Sequence, residues 1–233
     1  NTFFKIYTDV LEGITFLVSK KIIHYDIKWD NVLYDKTSKS AKIIDFGLSF
    51  QLDYIDFNSK SSVKRFFYGY WQEQTVWSFE IQYICFLLYK DDNTVEFLEN
   101  YTENHILNKR RNFQTFIKFD KKKLYKTCLE IIKHYEKLYP KKLERIEKIK
   151  EDYYDTWDNY SLAIMYLKIY RLVLKNIPKN IHIFHKKFIK EILIKKINPD
   201  FKKRNSLELT KERFIELINK LTPSDFLELS KNC

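Results

Sequence analysis

The stretch from Ile22 to Ser49 constrains this chain more than any other. It opens on the apolar pair Ile22-Ile23 and then sets His24, Asp26, Lys28 and Asn31 close together. Val32-Leu33-Tyr34 follows, then a polar turn from Asp35 to Ser40, then Ala41 to Ile44, and last Asp45-Phe46-Gly47. Two short apolar runs around a polar turn predict a small hairpin. Such a hairpin sets Asn31 just before one strand and Asp45 just after the other, so both come to the same end. Asp26 and Lys28 are two positions apart, and in an extended loop residues so spaced point the same way. The rest of the chain has to hold this loop still.

The pattern His24-x-Asp26-x-Lys28-x-x-Asn31, followed by Asp45-Phe46-Gly47, closely resembles the catalytic and magnesium loops of protein kinases. Transfer of a phosphoryl group to a hydroxyl needs a carboxylate near the attacking oxygen and hard oxygen ligands for the cation on the phosphates. The resemblance implies that Asp26 is the catalytic carboxylate and that Lys28 contacts the transferring phosphoryl group of ATP. Asn31 and Asp45 are implied as ligands of Mg²⁺, with Mn²⁺ as the alternative metal. His24 is expected to bond to backbone under the loop and Phe46 to pack inward. Gly47 is expected to lend the backbone freedom to redirect the segment after it. The Asp-x-Lys-x-x-Asn form is similar to Ser/Thr kinases, so a protein hydroxyl is the implied acceptor. A pseudokinase-like scaffold that binds partners through its helices is the alternative, and a small-molecule kinase a weaker third reading.

Two departures from the family pattern stand out. Tyr25 occupies the position where Arg is usual, and a phenol cannot supply that bidentate cation to a phosphate. Activity is therefore expected not to depend on a phosphorylated activation segment through this residue. Tyr70-Trp71-Gln72-Glu73 resembles a degraded form of the family's Ala-Pro-Glu, whose Glu makes a buried ion pair. Glu73 with Arg204, from Asn198 to Ser206, is the expected pair, with Glu80 as the competing acid.

Residues 3–19 carry Phe3, Ile6, Tyr7, Val10, Leu11, Ile14, Leu17 and Val18 at helical spacing, which predicts an amphipathic helix leading into the catalytic loop. No G-x-G-x-x-G occurs in the sequence, and the resemblance starts at the first residue. The expectation is a mainly α fold, the C-terminal large lobe of a kinase, with a partial kinase domain over residues 1–233. A helix is expected over residues 74–90. Residues 91–155 are expected to be a helical insertion, because the next family landmark, Trp157-Asp158 to Ile164, comes only after them. The resemblance implies that Asp158 accepts backbone hydrogen bonds from the catalytic loop. An N-cap role for Asp155 or Asp158 is the simpler reading.

Composition supports a packed, helical chain: 19 Phe and 17 Tyr fill a core, while only three Gly and four Pro leave few signals for tight turns. Three scattered Cys are too few for a disulfide framework, which points to a reducing, cytoplasmic compartment. No apolar run reaches the length of a membrane span. A net charge of +11 suits nucleic acid or an acidic partner, but Lys, Asn, Ile, Phe and Tyr are abundant together. An AT-rich genome, as in large DNA viruses, produces that bias. The basic clusters at 121–123, 141–142 and 202–204 read as solvated helix faces, and no nucleic-acid partner is expected. His182 and His185 lack a third ligand, so no metal is expected there.

Overall fold

The computed structural model describes residues 2–71, 76–90, 93–113, 120–173 and 182–221. Helices dominate. α1 (Thr2–Ser19) leads to β1 (Ile22–Ile23), then to the hairpin β2 (Val32–Asp35) and β3 (Ser40–Ile43), and to β4 (Phe50–Gln51). A short α2 (Lys60–Phe66) follows, then α3 (Phe79–Tyr89), α4 (Thr94–Phe113), α5 (Lys121–Leu138) and the long α6 (Lys142–Val173). The chain ends in α7 (His182–Lys187), a π-helical turn (Phe188–Leu193), α8 (Ile194–Lys196) and α9 (Leu207–Asn219). No helix among the described residues is long and apolar enough to cross a membrane.

α1 forms because its apolar residues recur on one face: Phe4, Tyr7, Val10, Leu11, Ile14 and Leu17 are all buried. Gly13 is unfavourable for a helix interior, and packing explains it. A Cβ built there would lie 2.9 Å from Ile43 Cδ1, so the missing side chain lets α1 approach β3 closely. Asp9 on the same helix accepts from the Ala41 N–H at 2.8 Å, which fixes the hairpin to α1. β2 and β3 pair antiparallel, with Val32 opposite Ile43 and Asp35 opposite Ser40. β1 pairs antiparallel with β4, Ile23 opposite Phe50.

α6 differs from the sequence expectation. It runs unbroken from Lys142 to Val173, so residues 142–155 extend the central helix N-terminally, and neither Asp155 nor Asp158 caps a helix. The reason lies in composition: no Gly or Pro interrupts the chain between Pro140 and Pro178. From Thr156 to Leu167 every residue of α6 is buried, on all sides of the helix. The expected helix over 74–90 is shorter, beginning at Phe79 after Ser78; residues 74 and 75 lie outside the described residues.

α4 and α5 fold back onto this centre. α5 starts on its Asp120 cap, which accepts from the Lys123 N–H, and buries Leu124, Cys128, Ile132 and Tyr135. Arg145 joins α5 to α3. Its guanidinium donates to the Tyr139 and Pro140 carbonyls at 3.0 and 3.1 Å, and to Tyr83 Oη at 3.3 Å and Glu136 Oε1 at 3.4 Å. Arg145→Leu removes the guanidinium from both carbonyls, while Glu136 Oε1 keeps Tyr83 Oη and Thr94 Oγ1 as donors, and urea unfolding is expected to show a loss of about 1–3 kcal/mol.

Lys196 is buried in an aromatic cluster. Its amine donates to Tyr7 Oη at 2.6 Å and lies 5.0 Å from that ring's centroid. No carboxylate among the described residues pairs with it, and burial holds its pKa well below the ordinary 10.5. Between the folded and unfolded values the unfolded chain carries the extra proton, so stability rises with pH across that window. Lys196→Met should raise the melting temperature at neutral pH and flatten that rise. Thermal melts over the window check it, and an unchanged slope would mean that the amine is not its source.

Candidate functional site

The loop from His24 to Asn31 leaves β1 and turns under the hairpin. Tyr25 sits in the left-handed region, at φ 69°. A non-glycine residue holds that conformation only where its surroundings over-determine it. Here Asp158 does so from the central helix: its Oδ2 accepts from the His24 N–H at 2.7 Å and its Oδ1 from the Tyr25 N–H at 2.9 Å. Burial raises the Asp158 pKa above the ordinary carboxylate value, against the lowering effect of these bonds and of His24. Trp77 closes the other side, its Nε1 donating to the Tyr25 carbonyl at 3.1 Å.

His24 is fully buried, with Nε2 3.1 Å from the Ile44 carbonyl and Nδ1 3.4 Å from the Asp26 N–H. Those partners fit one neutral tautomer, with the proton on Nε2 donated to the carbonyl and Nδ1 accepting. The imidazole thus links the turn to the exit of β3 as a brace.

Asp26, Lys28 and Asn31 converge. Asp26 Oδ2 accepts from Lys28 Nζ at 2.7 Å and from Asn31 Nδ2 at 2.9 Å, and Asn31 Nδ2 also reaches the Asp26 carbonyl at 2.9 Å. The hydrogen bond to Asp26 raises the Lys28 pKa, so the amine stays charged. The amide donates to two acceptors, which leaves Asn31 Oδ1 as its available oxygen. Across the hairpin the Ile44 N–H donates to the Asn31 carbonyl at 2.9 Å, so Asp45 follows directly beside Asn31.

Asp45 is exposed and left-handed at φ 61°, and its Oδ1 accepts from the Gly47 N–H at 3.2 Å. This corrects two expectations. The unusual backbone conformation falls on Asp45 and not on Gly47, whose absent side chain serves a different end: a Cβ there would crowd Asp45 Oδ1 at 3.1 Å. Phe46 is half exposed rather than packed inward. The left-handed turn at Asp45 redirects the chain before Phe46, which keeps one edge contact on the His24 ring at 4.9 Å.

The donor set suits a hard divalent cation. Asn31 Oδ1 and the Asp45 carboxylate are hard oxygen donors at one end of the hairpin, and Mg²⁺ characteristically takes one or two protein ligands with phosphate oxygens and water. Among the described residues no group of three or more His, Cys, Asp or Glu could hold a metal by itself. His185 instead packs, buried, with Nδ1 2.7 Å from Tyr170 Oη.

Arg204 meets Glu80 rather than the expected Glu73, which lies outside the described residues. The two side chains are each 1% exposed, with contacts of 2.5 Å and 2.9 Å in a bidentate pair. The geometric reason is α3, whose first turn carries Glu80 to the middle of α6 beside Thr156, and Thr156 accepts from the same guanidinium at 2.9 Å. Sequence reasoning missed Trp77 and Asp9 as supports of the loop. Neither carried a local signal, since a Trp among apolar residues reads as core.

Comparison with known proteins follows the same stretch. Residues 1–68 match the family model of the protein kinase domain. Rat mitogen-activated protein kinase kinase kinase 8 is 51% identical over 43 residues, covering 18% of this chain and 9% of that protein. A probable serine/threonine-protein kinase of Dictyostelium discoideum, fnkB, is 41% identical over 46 residues, 20% of this chain and 9% of its own length. Mouse mitogen-activated protein kinase kinase kinase 15 is 49% identical over 49 residues, 21% of this chain and 4% of its own length. The matched stretch thus spans less than a tenth of each relative. No solved structure matches the chain.

Proposed function

We propose, from the premise that this chain is a member of the protein kinase superfamily, that it is the catalytic lobe of a Ser/Thr protein kinase. The observation that carries this reading is the shared carboxylate oxygen: Asp26 Oδ2 bonded at once by Lys28 and Asn31. That arrangement leaves Asp26 Oδ1 to orient an acceptor hydroxyl and take its proton as the new P–O bond forms and the bond from the γ-phosphorus to the ADP leaving group breaks. Lys28 supplies positive charge beside the transferring group, where negative charge accumulates. Asn31 and Asp45 would hold Mg²⁺, which when bound with ATP would neutralise the phosphates. His24 and Asp158 keep the loop in place, and α4 and α5 are read as a helical addition to the lobe.

The test uses the protein as encoded, with whatever coding sequence adjoins it, incubated with Mg²⁺, labelled ATP and a generic protein substrate. Label is expected on Ser or Thr, and Asp26→Asn should lower kcat by about 10²–10⁴ while the melting temperature holds. Label on an aminoglycoside or choline instead would favour a small-molecule kinase. A folded wild-type protein that transfers no label, and binds no nucleotide, would favour the scaffold reading.

A further inference from the structure

The outward face of α5 carries lysines in a single row. Lys122, Lys126, Lys133 and Lys137 fall on one side of the helix, opposite the buried Leu124, Cys128, Ile132 and Tyr135, and all four are exposed. From first to last the row is about 22 Å long. Lys5, Lys141 and Lys203, exposed lysines elsewhere, each pair with an acid one turn away: Asp9, Glu144 and Asp200. On α5, Lys126 comes one turn after Lys122, and Lys137 one turn after Lys133. Like charges so placed destabilise a helix until a counter-charge reaches them. Among the described residues Lys122, Lys133 and Lys137 have no carboxylate within bridging distance, and Lys126 has only Glu130, at 3.9 Å. Glu136, the other nearby acid, is engaged by Tyr83, Thr94 and Arg145.

Glu130 interrupts the row at its middle. Beside that break a cavity of about 250 Å³ opens between α5, α6 and the loop at 200–203, with Ile131, Tyr135 and Tyr153 on its apolar side. The two aspartates at its edge are already engaged: Asp152 accepts from Tyr135 Oη and pairs with Lys148, and Asp200 pairs with Lys203.

These features select the class of partner. A phosphodiester backbone repeats its charge at every nucleotide and would meet Glu130. Nucleic-acid grooves also use arginine and exposed aromatic rings, whereas α5 has no Arg, Phe or Trp and its tyrosines are buried or half-buried. A bilayer needs exposed apolar residues along the helix, and on α5 Leu138 in the last turn is the one large example. An extended protein segment rises about 3.3 Å per residue, so about seven residues span the row, with acids on the lysines and an uncharged residue at the break.

We propose that α5 docks an acidic, extended segment of a partner protein. Its carboxylates pair with Lys122 and Lys126 at one end and with Lys133 and Lys137 at the other, and an uncharged side chain between them enters the cavity beside Glu130. Docking is read without catalysis, so the proposal stands apart from the kinase reading.

Fluorescence anisotropy on the protein as encoded tests this, with a labelled peptide that carries a glutamate pair on either side of one leucine. The joint change Lys122→Gln, Lys126→Gln, Lys133→Gln, Lys137→Gln should weaken binding about tenfold or more. Its melting temperature should hold or rise, because the like-charge pairs are gone. The same loss of charge at other exposed lysines, by Lys186→Gln, Lys187→Gln, Lys190→Gln and Lys195→Gln, should leave binding within about twofold. Alanine in place of the peptide's leucine should weaken binding about threefold. Equal weakening by the two sets of lysine changes would reduce the effect to net charge and overturn the proposal, as would unchanged binding in the α5 variant. A wild-type protein that leaves the peptide free overturns it too, and parallel titrations with a single-stranded oligonucleotide and with phosphatidylserine vesicles show whether either takes this face instead. An alanine peptide that binds as well as the leucine one overturns the part given to the cavity.

Discussion

Arg204→Ala is expected to destabilise the protein by about 3–5 kcal/mol, because it leaves the Glu80 carboxylate buried without its counter-charge. Every edge of the guanidinium is used: two contacts to Glu80, one to Thr156 Oγ1, and Nε to the Asn198 carbonyl at 2.6 Å. The Tyr160 ring lies 5.5 Å away, so the cation is also flanked by an aromatic face. Glu80→Ala should cost a similar amount, since a buried guanidinium then lacks its anion. The double change Glu80→Met with Arg204→Met should recover most of the loss, because the desolvation of both charges disappears with them. Guanidinium chloride unfolding of the wild type, Glu80→Met, Arg204→Met and the double variant gives the coupling energy. Additive single losses in the double variant would mean that the pair does not act as a unit.

Asp158→Ala should produce the second large effect, on the loop as much as on the fold. Hydrogen bonds to a charged acceptor are worth about 1.5–3 kcal/mol each, and two are lost at once from buried N–H groups. The left-handed Tyr25 then loses part of what holds it, so a drop of roughly 3–5 kcal/mol is expected. Hydrogen exchange at the His24 and Tyr25 amides should accelerate well beyond the change in global stability. Transfer activity should fall about a hundredfold, because Asp26 is displaced with the turn. Asp158→Asn keeps one acceptor oxygen and should sit between the two. Exchange at those two amides that merely follows global unfolding would show that Asp158 supports the core and not the loop.

Legibility of the site followed distance along the chain. Asp26 and Lys28 could be grouped from sequence because two residues apart in an extended loop point the same way, and Asn31 joined them through the resemblance to the kinase motif. Phe46 and Gly47 were misjudged because the decisive torsion belongs to Asp45, and nothing in the residue order marks an aspartate as the one that turns left-handed. The helices were legible from apolar spacing, as in α1 and α5, but the start of α6 was not. Its first turns carry the alternating charges of a solvated helix, and only the absence of Gly and Pro shows that they continue into the buried centre.

The residue order by itself determined the mainly helical fold, the hairpin and the convergence of Asp26, Lys28 and Asn31, because each of these depends on backbone geometry over a few residues. Tertiary structure alone decided that Glu80 is the partner of Arg204, that Trp77, just before α3, and Asp158 of α6 grip Tyr25 from two sides, and that Phe50 and Phe67 close on its ring. Those contacts join residues far apart in sequence. Which of several equivalent acids or aromatics meets its partner depends on how the helices pack, and no local pattern encodes that choice.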